Sequence, residues 1–205
     1  MSRWAQLLPF KPGSCPWSGR RLRGALLRRL SVFAGGWTVE AAEAVCSGEG
    51  LAAADVLDEL TLLVEKSMVL LDEQARQPRY RMLETIRQYA LEKLVEAGET
   101  ALAGYRRLAY ILNFAEAAEP HFLHPDQLER YARADTELDN VRAALEWSLA
   151  QSQVEPGMRL ANALHRYWVA RRSARRRCVP HRSLQGQSGP SRNACRKLRS
   201  SASLP

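Results

Sequence analysis

His121 and His124 form an H-x-x-H pair in a proline-containing connector, and Asp126 follows two positions on. Three such ligands on one loop could hold a metal ion. No cysteine lies nearby to complete the set, so the pair reads as surface histidines. His165 precedes Tyr167 and Trp168 and reads as a partly buried packing residue. The four cysteines, Cys15, Cys46, Cys178 and Cys195, form no C-x-x-C, and three of them fall in the terminal stretches. That spacing supports neither a disulfide framework nor a zinc site, and the expected compartment is the cytoplasm. No serine, cysteine or lysine stands in a nucleophile motif. The chain also has no G-x-x-x-x-G-K-[ST], the loop whose amides and lysine cradle nucleotide phosphates. The expectation is a non-enzyme with no catalytic residues, no cofactor and no metal.

Charge divides the chain into three. Residues 25–170 hold 15 Lys/Arg against all 22 Asp/Glu, a charge of −7. Residues 1–24 carry +5 and residues 171–205 carry +10, neither with an acidic residue. The pI near 9.7 therefore belongs to the ends. Residues 171–205 lack any apolar period and read as a disordered basic tail, because they cannot bury enough surface to offset their ordering entropy. Residues 1–24 read as an irregular basic segment, too broken by Pro9, Pro12 and Pro16 for a signal peptide or membrane span.

The acidic middle is patterned. ALLRRLSVF (25–33) places Leu26, Leu27, Leu30 and Phe33 at helical spacing before Gly35-Gly36. Thr38 is a candidate N-cap for VEAAEAVCS. DVLDELTLLVEKS predicts a third helix burying Val56, Leu57, Leu60, Leu63 and Val64. MVLLDE (68–73) and RYRML (79–83) predict two strands around a turn containing Pro78. Three short helices followed by a ribbon is the order of a winged helix-turn-helix, placed at 25–97. Leu83, Ile86, Ala90, Leu94 and Ala97 then predict a helix stopping at Gly98. A helical region at 100–170 follows: one helix over 100–118 with Leu102, Tyr105, Ala109, Leu112 and Ala115 inward, one over 126–150 with Leu128, Tyr131, Leu138, Val141 and Leu145 inward, and one over 157–170. The expected fold is mainly α.

Three segments, LLRRLSVFAGGWTVEAAEAVC, VLDELTLLVEKSMV and YRMLETIRQYALEKLVEAGE, resemble the region after the nucleotide-binding domain of bacterial STAND ATPases, regulators of the LuxR-like or NB-ARC type. DTELDNVRAALEWSL (135–149) extends the likeness, which covers residues 25–170. The resemblance implies a winged helix followed by the start of a tetratricopeptide-like sensor array. It implies a P-loop ATPase domain as partner, absent from this chain, or another protein partner. It implies a regulatory role, coupling nucleotide state to the array. Both ends then read as edges of a fragment, such as frame-shifted translation would leave. The competing reading is a natural basic tail, or the winged helix itself, binding DNA in a transcriptional regulator. No membrane partner is expected.

Two groups of residues are singled out. In many NB-ARC-type relatives a Met-His-Asp stretch links the ribbon to the next helix, with the histidine facing a bound phosphate. Here Met82, Leu83 and Glu84 stand there, a candidate switch seam without the imidazole. The apolar stripe predicts a buried Leu83, so that Leu83→Asp should be costly. Arg76, Arg79 and Arg81 are the weak candidates for DNA-backbone contact, set against a third helix whose Asp55, Asp58, Glu59 and Glu65 outnumber Lys66.

Overall fold

A computed structural model describes residues 21–72, 77–123 and 127–177. The first helix, α1 (Arg21–Leu30), starts earlier than its apolar spacing indicates. Arg23 explains this, because its guanidinium meets Glu59 at 2.9 Å and draws the extra turn onto the core. Thr38 caps α2 (Val39–Cys46) as expected, its hydroxyl accepting from the Ala41 amide. Next come α3 (Ala53–Glu65), β1 (Leu70–Asp72), β2 (Arg79–Arg81) and α4 (Glu84–Glu96). The strands pair antiparallel with Leu71 opposite Tyr80. Trp37 adds a bridge to Tyr80, with reciprocal backbone hydrogen bonds of 2.8 Å. Leu26, Leu30, Phe33, Trp37, Val45, Leu60 and Leu94 fill one core around this ribbon. The architecture is a winged helix.

Gly98, at φ +71°, turns the chain out of α4 in a left-handed conformation that suits glycine. The helical region then runs through α5 (Thr100–Ala118), a 3-10 turn (Glu119–Leu123), α6 (Gln127–Thr136), α7 (Leu138–Ala150), α8 (Val154–Ala163) and α9 (His165–Arg177). A second core joins them through Leu108, Ile111, Phe122, Val141, Leu160 and Tyr167. The sheet is small and the rest of the described chain is mostly helix.

Several expectations are corrected here. The single helix expected over 126–150 is divided at Glu137, whose carboxylate is held by side chains from both directions. Leu128 is exposed, as are Leu102 and Tyr105. Leu112 and Ala115 are buried as expected, but the face they share runs through Ala103, Gly104, Arg107, Leu108 and Ile111, rotated toward the small residues of α5. Close approach to Trp147 explains the rotation, since a Cβ at Gly104 would collide with the indole. Leu57 of α3 is exposed and Val64 only partly buried. His165 is exposed rather than packed. Residues 171–177 continue α9, where Arg171 pairs with Asp135; this part of the supposed tail is helix. His124, Asp126 and residues 178–205 lie outside the described residues. No helix among the described residues is long and apolar enough to cross a membrane.

Candidate functional site

The loop Ala34-Gly35-Gly36 connects α1 to the Trp37 bridge, and its backbone is docked on α7 by one side chain. Asn140 is fully buried. Its Oδ1 accepts from the amides of Ala34 (3.1 Å) and Gly35 (3.2 Å). Its Nδ2 donates to the Gly36 carbonyl (2.9 Å) and to Glu137 Oε2 (2.8 Å). An amide has two acceptor sites and two donors, and all four are used. Arg79 of β2 completes the set: it donates to Glu137 Oε1 at 2.5 Å and to the Gly36 carbonyl at 2.7 Å. Gly36 is required by space, because a Cβ there would stand 2.9 Å from the Tyr80 carbonyl oxygen. We call this arrangement the latch. It joins the FAGGW and ELDN stretches, which lie about a hundred residues apart in sequence.

Two further ties flank it. Arg107 on α5 is buried without a carboxylate; it donates to the Val32 carbonyl after α1 and, at 2.7 Å, to the Ala143 carbonyl on α7. Burial lowers its pKa to about 10 despite the charge of Glu146. Glu99, which precedes α5, receives Arg28 at 2.5 Å and Arg29 at 2.8 Å. Burial alone would raise the Glu99 carboxyl, but the hydrogen bonds from Arg28 and Arg29, with their charges, hold it below the usual range. Arg29 also donates to the carbonyls of Cys46 and Gly48. The two arginines are thus structural, tying α1 to the residue that precedes α5.

The three residues of the seam do not act together. Met82 packs partly against the winged-helix core. Leu83 is 50% exposed and occupies the N-cap of α4 with extended backbone and no side-chain cap. The expected burial is therefore wrong: the apolar stripe begins with Ile86, because an N-cap precedes the first helical turn. Glu84 opens α4 and accepts Arg87 at 2.7 Å and Gln88 at 3.0 Å. The Arg87 hydrogen bond is the main cause that lowers its pKa, against burial. Leu83→Asp should consequently be neutral or stabilising by up to about 1 kcal/mol, since an aspartate caps the exposed amides of the first turn. Urea denaturation of the variant checks this; a loss of more than about 2 kcal/mol would mean that Leu83 is buried.

The DNA-backbone candidates also separate. Arg76 lies outside the described residues. Arg79 is consumed by the latch. Arg81 is exposed on β2 and makes no ion pair among the described residues. On α3, Glu59 is buried against Arg23, leaving Asp55, Asp58 and Glu65 as the exposed carboxylates. Sequence reasoning missed Asn140, Glu137, Arg107 and Glu99. A buried asparagine gives no periodic signal, although the polar interruption of the α7 stripe at position 140 could have flagged it.

Comparison with known proteins finds a domain match and several longer relatives. Residues 21–95 match the winged helix-turn-helix domain family. A Mycobacterium tuberculosis protein named "Putative HTH-type transcriptional regulator Rv0890c" is 42% identical over 146 residues, 71% of this chain and 16% of that protein. A Mycobacterium bovis protein with the corresponding name, Mb0914c, shows the same identity and coverage. The M. tuberculosis "Uncharacterized protein Rv0894" is 42% identical over 97 residues, 44% of this chain and 25% of that protein. The chain thus spans about a sixth of the length of the first two relatives. No solved structure matches.

Proposed function

We propose that this chain is a non-catalytic segment of a transcriptional regulator whose winged helix works in association with DNA. The observation that carries the reading is the winged-helix match over residues 21–95, within a chain similar to proteins named as HTH-type transcriptional regulators. Charge limits the mode of contact. In helix-turn-helix domains the recognition helix enters the major groove. The exposed face of α3 presents three carboxylates against Lys66 and would be repelled by phosphates. The proposed contact is therefore with the backbone, by Arg81 on the ribbon and the basic terminal stretches, without base readout.

Fluorescence anisotropy of the full chain on labelled duplexes tests this. We expect weak binding that is indifferent to sequence and falls steeply between about 50 and 200 mM salt. Arg81→Glu should weaken it several-fold. No binding at the lowest salt would end the DNA reading. A strong preference for one sequence would mean that α3 reads bases after all.

A second reading has one observation behind it. Buried polar contacts fix the winged helix to the helical region, as an element passing a conformational signal requires. This supports the coupling role that the STAND resemblance implies, between a P-loop ATPase domain and a tetratricopeptide-like array. The relatives' names speak of transcriptional regulation, so the transcriptional reading takes precedence.

A further inference from the structure

A cleft of about 950 Å³ opens beside the latch, between the start of α2, the end of the ribbon, α5 and α6. Its volume is that of a small-molecule site, and junctions between structural units are where such sites concentrate. Tyr110 and Phe114, one turn apart on α5, line it and are only partly covered. Glu40 reaches it from α2, and Glu129, Ala132 and Arg133 from α6. Arg79 and Glu137 also border it, but each neutralises the other.

The remaining charges decide what would fit. Arg133 acts on Glu40, whose carboxyl is lowered first by a hydrogen bond with Thr38, then by its own backbone amide, and last by Arg133, against burial. Glu129 is exposed and has no ion pair among the described residues. The charged residues of the lining, Glu40, Glu129 and Glu137 against Arg79 and Arg133, leave it one negative charge in excess, and Tyr110 and Phe114 line the same cleft. Ring faces and a carboxylate both attract a cation, and the rings also offer an apolar surface.

We propose that the cleft binds a small organic cation with an aromatic body, an aromatic amine, placing its ring on Tyr110 and Phe114 and its ammonium at Glu129. The named contacts lie on α5 and α6 of the helical region, and Thr38, Glu40 and Arg79 of the winged helix line the same cleft. This goes beyond the transcriptional reading and does not depend on it, since binding is scored without DNA.

The test is an NMR titration of the full chain with phenethylamine and with phenylpropionate, which share a ring and differ in charge. The amides of Tyr110, Phe114 and Ala132 should shift saturably with the amine. Binding should be at least about fivefold tighter than for the carboxylate, the ratio expected from about 1 kcal/mol of charge recognition. Glu129→Gln, at an exposed position, should erase that preference. Ala132→Trp, also exposed, should fill the cleft and abolish the shifts. Three results would overturn the proposal: no saturable shift at these amides, preference for the carboxylate, or unchanged binding in Ala132→Trp.

Discussion

Asn140→Leu should destabilise the protein by about 2–4 kcal/mol, because it leaves the amides of Ala34 and Gly35 without their acceptor and the Gly36 carbonyl with Arg79 as its remaining donor. The leucine keeps the branched shape and is the larger side chain, so the cost is one of unsatisfied polar groups and not of a cavity. Asn140→Asp separates these causes further. It restores an acceptor for Ala34 and Gly35, but turns a carboxylate oxygen toward the Gly36 carbonyl and Glu137, where the wild type has a donor. We expect Asp to cost at least as much as Leu. Chemical denaturation measures both, and a variant within about 0.5 kcal/mol of wild type would show that water replaces the amide freely.

Gly104→Ala is the second large effect. Alanine is favoured over glycine in a helix interior by about 1 kcal/mol, and at an open position the change would stabilise α5. Here the new methyl would meet the Trp147 indole at both Nε1 and Cε2. A rigid ring must leave its place on α7, so overpacking outweighs propensity and the net loss should be about 2 kcal/mol. The double variant Gly104→Ala with Trp147→Phe should recover part of that loss, since the smaller ring clears the methyl. Thermal melts of the three proteins decide it; a stabilised single variant would contradict the packing.

Local signals made much of the fold legible. Thr38 as N-cap, the two Gly-delimited ends of α2 and α4, and the extent of α5 are each written in a few neighbouring residues. The three helices and ribbon of the winged helix follow from periodicity alone. What periodicity could not give is the rotation of a helix about its own axis when small residues permit close approach. On α5 that assigned Leu102 and Tyr105 to the core in place of Ala103 and Gly104. The site was less legible still. Arg79 looked like a ribbon arginine available to DNA, and nothing in the spacing around Arg28 and Arg29 marked them as an internal ion-pair site. Their partners, Glu137 and Glu99, lie 58 and about 70 residues away, where sequence spacing carries no information. Leu83 failed for a different reason: an N-cap residue continues the spacing of a helix without sharing its buried face.

From these polar ties we expect the winged helix and the helical region to unfold as one cooperative unit. Residue-resolved amide hydrogen exchange of the full chain tests that most directly. The slowest amides of the first core, at Leu60 and Leu94, and of the second, at Ile111 and Ala144, should report the same opening free energy. Asn140→Leu should lower all four together. Two distinct plateaus in the wild type, with only one of them moved by Asn140→Leu, would contradict the account.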